Sequence, residues 1–154
     1  MTTSPPGRLS ETLELLEWAE DRAARIQLLI DLGERFDEVR VPAAVATRPY
    51  DEARRVPGCE SEAFVFTLPR EDGSLDYFFD VENPQGISAR ALGVILGRGL
   101  SGVPLAEVAR LESELVYTLF GKELSMGKSM GLMGMVTMVR DAARAAMAEQ
   151  GGGA

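Results

Sequence analysis

The chain has 154 residues, a formal net charge of −8, 45% hydrophobic and 26% charged residues, enough for one globular domain with a buried core and acidic enough to argue against a nucleic-acid partner. It contains no histidine and one cysteine, which excludes a Ser-His-Asp triad, a Cys-His dyad, an internal disulfide and any zinc or iron–sulfur site built from Cys and His within one chain. No apolar run approaches the roughly 18–20 residues that cross a bilayer, and Met1–Gly7 is polar and Pro-rich with no secretory pattern, so the expected setting is cytoplasmic, without a membrane partner.

In chain order, Ser10 is the expected N-cap of a first helix whose apolar face holds Leu13, Leu16 and the Trp18/Ala19 pair. Asp21 caps a second helix carrying Ile26, Leu29 and Ile30 at i, i+3, i+4, with Gly33 as its stop signal. Residues 34–55 lose periodicity, and Pro42 and Pro49 within them predict a long irregular connection over the surface. Two strands follow, over 63–68 and 75–82, joined by a hairpin turn at Pro69–Ser74 with an Asp-Gly step. In the second strand Leu75, Tyr77, Phe79 and Val81 alternate with Asp76, Phe78, Asp80 and Glu82, which predicts one wet face. Arg54–Pro57 is a candidate third strand, ended by Pro57.

Beyond a turn at Asn83–Gly86, helices are expected from Ile87 to about Gly97–Gly102, from Pro104 through Leu111, over Ser113–Phe120, and from about Gly127 to Met147, with a frayed glycine tail at 151–153. Helices, strands and helices in that order predict an α+β fold with a small antiparallel sheet, as a single domain over 1–154 with an ordered core at about 8–148 and a flexible tail at 149–154.

Two glycine patterns resemble nucleotide sites. Gly97–Gly102 matches G-x-G-x-x-G but follows a helix instead of a strand, so a helix-to-helix turn is the expected role. Gly121–Ser129 ends in Gly-Lys-Ser, but five residues separate its glycines where a P-loop has four, and no strand leads in. Met126, Met130, Met133, Met135 and Met138 are expected mainly to fill the core, with a pliable partner surface as the alternative. Asp76, Asp80 and Glu82 are expected on a solvated strand face.

Cys59 is the candidate reactive residue. It stands in Arg54-Arg55-Val56-Pro57-Gly58-Cys59-Glu60-Ser61, where the Pro-Gly turn and the polar Glu60-Ser61 pair set the thiol on a loop before a strand. Loop amides, Arg54 and Arg55 favour the attacking thiolate, and Glu60 opposes it. A buried, inert cysteine remains the alternative.

Val56-Pro57-Gly58-Cys59-Glu60-Ser61 resembles the cysteine loop of the SufE family, usually a small apolar residue followed by Gly-Cys-Gln-Ser. Leu28–Phe36, Gly99–Gly102 with the Pro104 helix, and Leu124–Leu132 are similar to further segments of that family, in order over roughly 12–147. The resemblance implies a SufE/IscU-like fold, with a small three-stranded antiparallel sheet packed against N-terminal and C-terminal helices. It also implies a sulfur acceptor for iron–sulfur cluster assembly. By that resemblance the Cys59 thiolate takes persulfide sulfur from a SufS-type cysteine desulfurase by transpersulfidation, stimulates that enzyme, and hands the sulfur to a cluster scaffold.

Such a protein is a persulfide acceptor and activator, not a stand-alone enzyme, and needs no metal or cofactor of its own, since the pyridoxal phosphate belongs to the desulfurase. Gly58, Glu60, Ser61, Arg55 and Lys128 are the expected partner-binding residues. Glu60 stands where the family has Gln, Lys128 where it has a basic residue of the arginine type, and Glu82–Gln85 where it has an Asp-Ser-Asp turn. The IscU-type scaffolds of the same fold ligate a cluster through three cysteines, so one cysteine suits a sulfur carrier and not a cluster site. A different class of reading is a non-catalytic interaction module with a structural Cys59.

Overall fold

The computed structural model describes residues 8–121 and 124–152. Among these residues six helices surround a two-stranded antiparallel sheet: α1 (Leu9–Glu17), α2 (Arg22–Gly33), β1 (Ala63–Pro69), β2 (Leu75–Val81), α3 (Ile87–Leu100), α4 (Leu105–Val108), α5 (Leu115–Phe120) and α6 (Met126–Gly152). Short 3-10 turns at Phe36–Glu38 and Glu52–Arg54 interrupt the long connection between α2 and β1.

The expected α+β layout holds, with a smaller sheet than expected. Arg54–Pro57 does not become a third strand. Arg55 forms one antiparallel bridge to Phe64, and the Val56 N–H donates to the Ala63 carbonyl at 2.8 Å. Pro57 has no N–H with which to continue the ladder. On the other edge Arg40 forms a single parallel bridge to Phe79, and Pro42 follows it. The hairpin matches its sequence signal: Ala63 pairs with Val81 and Pro69 with Leu75, and the Arg70 N–H closes the turn on the Ser74 carbonyl at 2.8 Å.

Helix ends differ in detail. Asp21 caps α2 as expected, accepting from the Ala24 N–H at 2.8 Å. Ser10 does not cap α1, which begins at Leu9 with Arg8 at the cap position, two residues earlier than expected. Trp18 lies past the end of α1 and is 82% exposed, so the inward face of that helix is carried by Leu9 and Leu16 instead. The last helix continues through Gly152, so Gly151 and Gly152 extend it where a frayed tail is expected; Gly153, Ala154, Met1–Gly7 and the Lys122–Glu123 pair lie outside the described residues.

Alternation in β1 and β2 builds two unequal cores. Ala63, Val65, Tyr77, Phe79 and Val81 face the main core, where α3 packs on β2 and on α1, α2 and α6. Within α3, Gly97 and Gly99 are buried packing positions: a Cβ on Gly97 would lie 2.6 Å from Val39 Cγ1, and one on Gly99 2.7 Å from Leu9 Cδ2. Gly102 takes φ +79° in the turn before α4, so the expected helix-to-helix turn falls only on the last residues of the G-x-G-x-x-G match, and its first two glycines are packing positions within α3.

The opposite sheet face is not wet. Val41, Phe64 and Phe66, with Val45, Ala46, Tyr50 and Phe78, form a second apolar cluster under the strap of residues 40–50. The Val41 N–H bonds to the Phe79 carbonyl at 2.9 Å, and the Tyr50 ring meets Phe64 and Phe66 edge-on at 5.0 and 4.9 Å. The aperiodic connection therefore covers a sheet face that simple alternation assigns to solvent.

Candidate functional site

The cysteine loop runs from the Arg55 bridge to the start of β1. Gly58 has φ +70° and Glu62 φ +53°, so both ends of the turn use the left-handed region, which costs glycine little and a side-chain-bearing residue more. The Glu62 N–H closes the turn on the Cys59 carbonyl at 3.2 Å. Two further bonds fix the loop to the end of β2, from Asn83 N–H to the Ser61 carbonyl and from Glu82 N–H to the Glu62 carbonyl, each 3.1 Å. Cys59 itself is partly buried and packs against the main core.

The loop lies on the first turns of α6. Gly127, Gly131 and Gly134 recur at four- and three-residue spacing and share one helix face. A Cβ built on Gly131 would stand 2.9 Å from Cys59 Cα and 3.3 Å from Sγ. One on Gly134 would stand 2.9 Å from Val56 Cγ1, and one on Gly127 3.3 Å from Glu60 Oε1. On the far side Gly86 touches Ser61, where a Cβ would come within 2.8 Å of Ser61 Cβ. The glycine face of α6 is missing from the sequence-based expectations. Its signal is a helical recurrence inside a segment dominated to the eye by methionine.

Of the expected site residues, Gly58, Cys59, Glu60 and Ser61 come together in this turn, with Glu60 reaching the N-terminal end of α6. Lys128 is exposed on the first turn of α6, next to Gly127, and its backbone N–H meets Ser125 Oγ at 3.3 Å. Arg55 is drawn elsewhere: it pairs with Glu52 at 2.9 Å, its guanidinium lies 4.7 Å from the Phe64 ring centre, and the Glu52 hydrogen bond raises its pKa. The methionines divide. Met135 is fully buried and Met133 and Met138 pack on the core, whereas Met126 and Met130, on the first turns of α6, are 79% and 60% exposed. The Gly-Lys-Ser segment is no phosphate cradle, since α5 leads into it and the Ser129 hydroxyl donates to the Met126 carbonyl at 3.1 Å.

The expectation of a solvated carboxylate row fails at Asp80, which is 1% exposed. It accepts from Arg40 at 3.0 Å, Arg48 at 2.9 Å and Tyr50 at 2.7 Å, and from the Val81 N–H at 2.9 Å. Burial alone would push its carboxyl up; the hydrogen bonds from Tyr50 and Arg48 and the charges of Arg48 and Arg40 outweigh this and hold it below the usual range. All of these partners but Val81 lie on the strap, so Asp80 pins that segment to the sheet. Among the described residues no three His, Cys, Asp or Glu side chains gather as a metal site, and no helix is long and apolar enough to cross a membrane.

This geometry offers one thiol on a backbone-tied turn, open on one side and backed by a side-chain-free helix face. Such an arrangement suits exchange of divalent sulfur with another protein's thiol, which requires only an accessible thiolate. The solution structure of a hypothetical protein from Thermus thermophilus has the same fold, with a TM-score of 0.70, 23% identity, and coverage of 94% of this chain and 98% of that one. SufE-like protein 1, chloroplastic/mitochondrial, of Arabidopsis thaliana is 24% identical over 136 residues, which are 88% of this chain and 34% of that protein, so the chain spans about a third of the curated relative's length. Residues 10–143, a span that includes the cysteine loop and the glycine face of α6, match the model of the SufE Fe-S metabolism associated domain, and the chain belongs to the SufE family.

Proposed function

We propose that the protein is a sulfur acceptor in iron–sulfur cluster assembly, with Cys59 as the accepting group and a SufS-type cysteine desulfurase as the donor. The observation that carries this reading is the lone thiol, set on an exposed turn within the family span and partly open to solvent. The Cys59 thiolate attacks the outer sulfur of the donor's cysteine persulfide. A new sulfur–sulfur bond forms on Cys59, the donor's own bond breaks, and its cysteine leaves as a thiolate. The sulfane sulfur moves without change of oxidation level, so no external oxidant is consumed. A scaffold thiol then takes the sulfur in the same way. Gly58 and Ser61 shape the turn, while Glu60 and Lys128, with exposed Met126 and Met130, border the surface a donor must cover to reach the thiol; Arg55 supports the base of the loop through Glu52.

Incubation with desulfurase and cysteine is expected to add one sulfur atom to the wild type by intact mass and none to Cys59→Ser, and to raise desulfurase turnover only with the wild type. Labelling of Cys59→Ser equal to the wild type would sink the proposal. The rival reading, a binding module with a structural thiol, draws on the packing of Cys59 against the main core, and predicts that Cys59→Ser leaves the partner's activity unchanged.

A further inference from the structure

We propose that Gly131 is a positioning residue for Cys59: the missing side chain at this point of α6 sets how deeply the thiol is seated. Three glycines within one stretch of helix weaken the helix itself, since glycine is among the poorest helix formers. At Gly131 the absent Cβ is matched by a specific neighbour. All three nearest atoms belong to Cys59, with Cα at 2.9 Å, Cβ at 3.2 Å and Sγ at 3.3 Å.

The nearest of these is backbone, which cannot swing aside as a side chain does. A methyl group at 131 therefore pushes the Cys59 backbone away from the helix. Backbone bonds hold the Ser61–Glu62 end of the turn to β2, while the space around the Gly58 Cβ position is open, so the give lies at the Gly58–Cys59 end. The same methyl at Gly127 meets only the far end of the Glu60 side chain, at 3.3 Å, and at Gly151 meets nothing. The three positions therefore separate seating of the thiol from helix propensity. The consequence for sulfur transfer rests on the function proposed above; the seating itself does not.

Native-state alkylation of Cys59 by iodoacetamide tests this without any desulfurase, with all variants at one pH and the denatured chain at that pH as reference. The wild type is expected to react more slowly than the denatured chain. Gly131→Ala should speed the native reaction about tenfold, as an overpacked contact resolved by moving the loop, while Gly127→Ala and Gly151→Ala stay within about twofold of wild type, the scale of an ordinary surface change. An unchanged rate in Gly131→Ala, or an equal acceleration in Gly127→Ala, overturns the proposal. Should Gly131→Ala fail to fold, the wild type decides: a native rate equal to the denatured one means that no seat exists, and a slower one supports it. Failure of sulfur loading in the mass experiment would leave this result standing.

Discussion

Tyr77 shows how one side chain can be central to packing and still carry a cost. Its ring is 1% exposed on the inner face of β2, and its hydroxyl has no hydrogen-bond partner among the described residues. Burial pushes the phenol from 10.0 up to about 12. A buried hydroxyl without a partner costs about 1–3 kcal/mol relative to one that is paired or removed. Tyr77→Phe keeps the ring and deletes the cost, so urea unfolding should find the variant more stable by about 1 kcal/mol. A loss of stability would mean that the hydroxyl is paired in solution. The pH dependence has a definite sign. A raised folded-state pKa favours the protonated form, so the stability of the wild type does not depend on pH through this group below pH 10 and falls as pH rises towards about 12, whereas the Phe variant has nothing to titrate there.

At the scale of elements, α3 is the spine, touching α1, α2, α6 and β2. Its closeness to the 39–41 segment depends on Gly97, since a Cβ there would lie 2.6 Å from Val39 Cγ1 and 3.3 Å from the Tyr77 carbonyl. Two effects of Gly97→Ala oppose each other. Helix propensity favours alanine by about 1 kcal/mol, and overpacking a tight contact costs about 1–3 kcal/mol. The contact falls partly on backbone, so the cost should win, and the urea midpoint should drop with the slope unchanged; a gain in stability would show that Val39 yields freely. The same contrast between local and distant contacts decides what is legible in the sequence. Periodicity and turn chemistry find the hairpin, the Asp21 cap and the six helices because those signals are local. The Cys59 turn is legible for the same reason, as a contiguous Pro-Gly-Cys motif. The third strand fails for a local reason, since Pro57 ends the pairing after one bridge, whereas the role of the glycine face of α6 cannot be read alone, because it depends on a loop that arrives from far away in sequence. Trp18 errs in the other direction, an apolar residue placed by periodicity on a face that the helix ends before burying.

Over the whole molecule the two cores differ in size and in what holds them. The main core is large and apolar but for the Tyr77 hydroxyl, while the outer cluster is small and is pinned by one buried carboxylate. Arg40 and Arg48 are 40% and 57% exposed, so water relieves part of the loss when Asp80 is neutralised; the expected cost of Asp80→Asn is about 1–3 kcal/mol, below that of breaking a fully buried pair. Because the Asp80 carboxyl is held below its usual range, its contribution is fully present above the unfolded value of about 3.9 and disappears as pH falls through the lower folded value. Acid should therefore loosen the strap before the helical core. Hydrogen exchange of the wild type below about pH 4 is expected to lose protection first at residues 39–50, including the Val41 N–H bonded to Phe79, while α3 and the buried half of α6 stay protected. Asp80→Asn should show the same loosened strap already at neutral pH and no further change on acidification to the same point. Simultaneous loss of protection in the strap and α3 would mean that the two cores unfold as one unit and that Asp80 pins nothing separable.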